Sequence, residues 1–501
     1  MTRNLESSFG MDIMDRRRFL KASAGATALG LLGCAGLPNS RLGGERGSDI
    51  IVIGAGLAGL AAAQKLEDSG ARVTVLEGNN RIGGRLNTIE RNGLRFEVGG
   101  VQVGDAYERV HAHADRVGIE IAPPAINLMG PDGRPLPTAL IHAGQIVSSA
   151  NWISSPLNPL QGREHTIAPP NLLRTAMNEV ALKTIAGWDD PANLEMDIPL
   201  RDFLSSRGWS SQALDWMDVA DSYTSLRTIS ALDALRRQAE HLARQQGSRP
   251  SENRAASTPG AGWVTRGSQA LPEAMAEALQ STPLLGMEVI AVEQNARGIE
   301  VGCSNGQRFR ADHVVITVPS GPLSRIRFTP APPQVQTEVW ANRRSNSITT
   351  IHLHPTKPFW ELDGLPMNMW NDGPLQRVMA VPDTEGTIQR LIVWLNGDAA
   401  NRVDRMAPDA RMQWAMGELA RLRPSSAGAL EPLATRSWGS DRFADGAFSE
   451  IAPGRVADTV QWSGKRFGRI HFGGEHNAFD KPGMEAAVVS GERAAAAVLA
   501  A

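Results

Sequence analysis

The sequence predicts an α/β protein in which a Rossmann-like nucleotide-binding domain is assembled from discontinuous segments, together with a second, α+β domain. Three observations predict it. A β-branched run at 49–53 leads straight into a glycine turn and an Ala-rich helical pattern; a second short strand follows that helix and ends in an acid; and a further strand, glycine pair and small-residue helix appear only at the far end, at 468–495. With 501 residues, 42% of them hydrophobic, the chain exceeds one ordinary core and can build two or three lobes.

The chain opens on an address. Asp15-Arg16-Arg17-Arg18-Phe19-Leu20-Lys21 matches the twin-arginine export consensus, and Ala22 to Gly33 is weakly apolar and uncharged. That stretch is far short of the roughly 20 residues a membrane-spanning helix needs. Residues 1–46 are therefore set aside as signal and leader, with delivery to the periplasm expected. Leu31-Leu32-Gly33-Cys34 also resembles a lipobox, which makes Cys34 a candidate lipid anchor; an ordinary cysteine in a soluble leader is the alternative.

The folded part begins with a phosphate cradle. Asp49 to Ile53 reads as a strand, Gly54-Ala55-Gly56-Leu57-Ala58-Gly59 as the turn, and Leu60 to Ser69 as a helix. The first two glycines let backbone N–H groups approach a diphosphate, and Gly59 lets the helix lie close to the strand. The helix N-terminus then faces the anion. The strand Arg72 to Leu76 ends at Glu77, about 20 residues on, where a carboxylate can accept hydrogen bonds from a ribose.

Arg81-Ile82-Gly83-Gly84-Arg85-Leu86-Asn87-Thr88 brings a second backbone loop, Gly84 included, to the diphosphate, with Arg85 as its counter-charge. This glycine pair after the ribose acid resembles the FAD-containing amine oxidase superfamily, which includes monoamine, polyamine and L-amino-acid oxidases and is related to phytoene desaturases and protoporphyrinogen oxidase. The resemblance implies FAD and places Gly99, Gly100, Val101 and Gln102 of the 96–104 segment along the isoalloxazine. At the other end, Gly468 to His476 and Pro482 to Ala495 resemble the family's last motifs. Gly474 and Glu475 would line the ribityl-diphosphate path, and the Met484 N–H, at a helix N-terminus, would face the flavin carbonyl. His476 reads as structural.

Between the ends, Trp263 to Pro272, strands at Met287–Glu293 and Ile299–Cys303, and a continuous apolar strand from Ala311 to Val318 read as returns to the FAD-binding domain. The resemblance puts the Val289 backbone on the adenine. The expected FAD-binding segments are 47–115, 259–330 and 435–501, with the substrate domain at 116–258 and 331–434. Within the latter, Ala231 to Arg244 reads as a helix and Gln245 to Gly260 as a polar loop. Cys303 alternates with apolar neighbours and reads as inert core.

Amine oxidation requires a dry pocket that favours the uncharged amine. The resemblance assigns pocket walls to Trp438 and Phe448. It also exposes three departures. Ala447 stands where monoamine oxidases carry the flavin-linking cysteine, so the FAD is expected to be non-covalent. Gly483 stands at the second cage aromatic, with Phe479 available to fill the gap. Thr350 stands at the lysine that reaches a water near N5, counting back from Lys357-Pro358-Phe359-Trp360, and Lys357 itself reads as rim.

The expected reaction converts an amine or amino acid to an imine, which water hydrolyses to an aldehyde, ketone or keto acid. O2 or a periplasmic electron acceptor reoxidises the flavin. A C–C desaturase or oxidase and a non-catalytic flavin-binding partner protein remain the alternatives. Net charge of -2 argues against nucleic acid, and two cysteines without Cys/His spacing argue against a disulfide framework or a structural metal. A homodimer is the expected assembly.

Overall fold

A computed structural model describes residues 48–122, 137–182, 186–220, 223–247, 262–343, 345–383 and 385–501. The signal pattern, Cys34 and most of the polar loop before Gly260 lie outside the described residues.

The nucleotide-binding sheet is parallel, ordered Ile470–Phe472, His313–Ile316, Asp49–Ile53, Arg72–Leu76. Four short apolar strands from three distant stretches of sequence therefore share one sheet. Its strands are buried on both faces, which explains the continuous Ile/Val runs. The Leu57–Asp68 helix packs against one side together with the C-terminal Gly483–Leu499 helix. Small residues allow that pairing: a Cβ on Gly491 would stand 2.0 Å from the Ala58 carbonyl oxygen.

The apolar run expected as one strand from Ala311 to Val318 is two. Arg308–Ala311 belongs to a four-stranded sheet with Gly298–Cys303, Val289–Asn295 and Arg327–Thr329, and His313–Ile316 belongs to the parallel sheet. Asp312 is the joint: its N–H donates to the Asp49 carbonyl at 2.8 Å and its carboxylate accepts the Asp49 N–H at 3.0 Å. Cys303 is buried in this second sheet's core, and burial raises its thiol pKa, as an inert core position requires.

The largest sheet has seven strands: Leu430–Ser437, Ile348–Pro355, Ile388–Asn396, Arg377–Pro382, Asn368–Asn371, Thr138–His142 and Gln145–Ser148. Leu430–Ser437 is one strand of this sheet and runs through residue 435, where a domain boundary is expected from the sequence. Alternation divides its faces. Ile351, Leu353, Leu391, Val393 and Leu395 pack on one side in the core shared with the Gly397–Val403 and Pro408–Leu422 helices. The opposite face carries Ile348, Thr350, His352, Trp394 and Arg377, and it covers the strand leading to the 99–102 segment: His352 stacks on Phe96 with ring centroids 5.2 Å apart. A helical layer that includes Ala231–Gly247 completes the described body.

Candidate active site

The glycine turn has the shape an anion requires. Gly54 adopts φ +103, and a Cβ on Gly59 would lie 1.8 Å from the Gly54 carbonyl oxygen, so a side chain there would collide with the turn itself. The Leu57–Asp68 helix starts at Gly56 with no side-chain cap and no acid in its first turn, which leaves its positive end open to a ligand. Gly84, at φ +58, closes the other side: a Cβ built on it would be 3.5 Å from the Gly56 Cα. Ala55, Leu57 and Ala58 are buried beneath this cradle.

Glu77 ends the second strand and is 7% exposed. Its carboxylate accepts the Ala55 N–H at 2.7 Å and the Asn79 N–H at 2.8 Å, so it clamps the turn as well as offering its outer lone pairs. Burial raises its pKa against those two bonds. The segment before Val289 is tied to this end, since the Glu77 N–H donates to the Leu284 carbonyl and the Met287 N–H to the Glu77 carbonyl. Val289 itself is 8% exposed at the start of its strand.

Arg85 does something the sequence did not suggest. Its Nη1 donates to the Ala447 carbonyl at 2.7 Å and to Glu475 Oε2 at 3.1 Å, so its charge is matched within the protein instead of standing as a free counter-charge. One guanidinium thereby joins the 81–88 loop, the turn carrying Glu475 and the loop bearing Phe448. Burial opposes the charge on Glu475, but Arg85, Arg237 and Arg343 outweigh it and lower its pKa. Gly474 reaches φ +119, and its N–H donates to Ser490 Oγ at 2.8 Å. His476 is buried, and burial followed by Arg343 pushes its pKa down to about 3, which keeps it neutral and structural.

The 99–102 segment is packed from beneath. A Cβ on Gly99 would meet the Arg85 carbonyl oxygen at 2.2 Å and Trp438 Cζ2 at 3.1 Å; one on Gly100 would stand 3.6 Å from Met484 Cε. Val101 is half-buried and Gln102 exposed. Trp438 is 4% exposed, donates its Nε1–H to the Val98 carbonyl at 2.9 Å, and is covered by Arg436 with the guanidinium carbon 4.2 Å from a ring centroid. It therefore props the glycine segment from behind and does not present an open wall. Phe448 is 43% exposed, on a loop fixed by paired backbone and side-chain bonds to Asn346. Phe479 does not fill the space at Gly483. Its ring packs near Trp188, 6.1 Å between centroids, under Arg343 at 4.8 Å. Gly483 instead faces Tyr107, whose hydroxyl would lie 3.2 Å from a Cβ there.

Thr350 is 5% exposed and belongs to a buried relay that no local sequence signal announces. Arg390 Nη1 lies 2.7 Å from His352 Nδ1, and His352 Nε2 lies 3.0 Å from Thr350 Oγ1. A guanidinium only donates, so Nδ1 accepts, Nε2 keeps the proton, and the imidazole donates to the threonine hydroxyl. Burial, then Arg390, holds the His352 pKa well below its ordinary value, consistent with a neutral ring. Lys357 is exposed, as a rim residue should be.

A second unforeseen feature is a buried ionic cluster behind Phe448. Asp233, 0% exposed, pairs with Arg236 at 2.8 Å and Arg237 at 3.0 Å; Arg237 also donates to the Ser449 carbonyl, and Arg236 to the Phe479 carbonyl at 2.9 Å. Arg343, 5% exposed, has Nε and Nη1 without a partner among the described residues. Burial pushes its pKa down to about 10, with Glu475 and Asp233 holding it up. The glycine cradle at the uncapped helix N-terminus fits a dinucleotide anion.

The flavin containing amine oxidoreductase family model matches residues 57–499. Mouse (Mus musculus) L-amino-acid oxidase is 26% identical over 465 residues, covering 89% of this chain and 70% of that protein. Human (Homo sapiens) amine oxidase [flavin-containing] B is 25% identical over 473 residues, covering 90% and 86%. Among solved structures, cyclohexylamine oxidase from Brevibacterium oxydans superposes with TM-score 0.70 at 23% identity, covering 90% of this chain and 98% of that one. Putrescine oxidase bound to putrescine gives 0.69 at 22%, covering 91% and 99%. The chain, with its two glycine-rich ends joined through Arg85 and Glu475, belongs to the flavin containing amine oxidoreductase family.

Proposed function

We propose that this protein binds FAD non-covalently and oxidises a small-molecule amine or amino acid to an imine, which water hydrolyses to an aldehyde, ketone or keto acid. The observation that carries the reading is the convergence of the 84–85 loop, Glu475 and the Ala447–Phe448 loop on one guanidinium. Bound FAD would supply the two-electron acceptor. The chain's own residues do the rest. Gly54, Gly56 and Gly84 admit the diphosphate to the helix N-terminus, and Glu77 holds the turn that presents it. Trp438 and Arg85 fix the 99–102 segment at one height. The exposed Phe448 ring offers an apolar surface that displaces water and favours the neutral amine, the form whose nitrogen lone pair is available. Thr350 accepts the His352 N–H, so its own hydroxyl proton is left to donate.

Alanine at position 447 supports non-covalent attachment. Reoxidation by O2 or by a periplasmic carrier, export through the twin-arginine pattern at Arg16-Arg17, anchoring at Cys34, homodimerisation and the division into FAD-binding and substrate domains complete the proposal. Anaerobic mixing of the purified yellow holoprotein with a panel of amines and amino acids tests it. Bleaching of the flavin by at least one of them is expected, with a colourless pellet after acid precipitation; a flavin that no member bleaches would refute the activity.

A further inference from the structure

The Phe448 ring is exposed, and nothing it touches holds it in place. Among the described residues it joins no hydrophobic cluster and meets no aromatic ring or cation. The other aromatics near the site are packed: Trp438 is covered by Arg436, and Phe479 lies against Trp188 and Arg343. A ring without packing partners takes its position from the backbone that carries it.

That backbone is bonded at every donor. The N–H groups of Asp445, Gly446 and Ala447 donate to the carbonyls of Asp441 at 2.9 Å, Trp438 at 2.8 Å and Asn346 at 3.0 Å, and the Phe448 N–H donates to Asn346 Oδ1 at 2.8 Å. The Phe448 carbonyl accepts the Asn346 N–H at 2.9 Å, while Arg85 and Arg237 donate to the carbonyls on either side, Ala447 and Ser449. Gly446, at φ +128, lies flush on the segment before Asn346, since a Cβ on it would stand 2.3 Å from Ser345 Cβ. Asn346 is 1% exposed and makes three of these bonds, and its side chain makes the one to the ring-bearing residue's own N–H. The two main-chain bonds survive a change of that side chain, so the third can be removed alone.

We infer that Asn346 is the positioning residue for Phe448: its amide oxygen fixes the backbone so that the ring meets the substrate already immobilised. A wall ordered before binding spares the substrate the cost of ordering it. The inference rests on the reading of Phe448 as the apolar wall that favours the neutral amine, and it names the residue that gives this wall a single place.

The unaltered holoprotein, Asn346→Ala, Phe448→Ala and the double variant are titrated anaerobically with benzylamine and with hexylamine, and the half-saturation and limiting rate of flavin bleaching are read. Asn346→Ala should raise the half-saturation about fivefold and change the limiting rate by less than about twofold. Added to Phe448→Ala, it should change the half-saturation by less than about twofold, because its effect passes through the ring. A full effect in the Phe448→Ala background, or none in the unaltered one, overturns the inference and leaves amine oxidation standing. A second measurement needs no amine. With para-fluorophenylalanine at position 448, the fluorine resonance should be displaced from that of the free amino acid, and Asn346→Ala should move it toward that position. Identical spectra overturn the inference. If Asn346→Ala does not fold, Asn346→Ser takes its place, since its hydroxyl is too short to reach the Phe448 N–H. Bleaching by neither amine counts against the amine reading itself and leaves the fluorine comparison to decide the role of Asn346.

Discussion

Asp233→Asn tests the ionic cluster that holds the Phe448 loop. The amide keeps the shape of the side chain and removes a charge that two guanidiniums share, Arg236 and Arg237, 6% and 23% exposed. Breaking one side of a buried pair costs about 3–5 kcal/mol. Glu240 still holds Arg236 at 2.5 Å, so the lower end applies, about 3 kcal/mol. A folded body spanning Gly47–Ala501 has an unfolding entropy of roughly 1 kcal/mol/K, so the melting temperature should fall by about 3 °C. The effect depends on pH. Burial opposes the Asp233 charge, but Arg237 and Arg236 hold its pKa down to about 2 from 3.8. A lowered acid contributes stability that is present above its unfolded pKa and is lost as pH falls through the folded one. The deficit of the variant should therefore be complete at neutral pH and shrink between about pH 4 and 2. Urea unfolding followed by circular dichroism measures both. A loss below about 0.5 kcal/mol at neutral pH would refute the argument that these charges are mutually dependent.

Gly59→Ala should abolish FAD retention, since its Cβ would press on the Gly54 carbonyl oxygen from 1.8 Å and displace the turn; flavin absorbance per mole of purified protein reads this, and an undiminished ratio would show the turn can yield. Glu450 gives a pH prediction of opposite sign to Asp233. Burial raises its pKa to about 7 from 4.5, so the stability of its neutral form is full below the unfolded pKa and is lost as pH rises through the folded one. Glu450→Gln keeps a neutral side chain at every pH, and the stability of the unaltered protein relative to it should drop by about 3 kcal/mol between pH 4.5 and 7.5; a difference that does not vary with pH would contradict this.

Much of the nucleotide-binding unit was legible because its residues are chosen by local rules. A strand buried on both faces must be continuously apolar, a turn at φ +103 calls for glycine, and the acid after the second strand has a fixed spacing. The strands 49–53 and 72–76 fall where the pattern put them. What stayed hidden depends on partners distant in sequence. Nothing near Arg85 announces a contact with Ala447, and nothing near His352 announces Arg390. Asp312 looks like one polar interruption in an apolar run until its bonds to Asp49 make it the joint between two sheets. Glu485 reads as a polar residue opening a helix, yet it accepts the Arg109 and Val110 N–H groups at 2.9 and 3.0 Å and so caps the Glu108–Arg116 helix, which has no side-chain cap of its own. Phe479 follows the same rule: its aromatic type suits the gap at Gly483, but its neighbours Trp188 and Arg343 are set by the fold.

The parallel sheet has a temporal consequence. Its strand at 313–316 has one edge paired by 49–53 and the other by 470–472, and the helix 57–68 is covered by 483–499. While a ribosome is still making the middle of the chain, that edge and that Ala-rich helical face have no cover, and they gain it only once residues 470–499 have emerged. Completion of the parallel sheet and its helices thus waits on residues 470–499, and truncation before the Gly483–Leu499 helix would strip cover from the first helix and the Ser490 hydroxyl from the Gly474 turn.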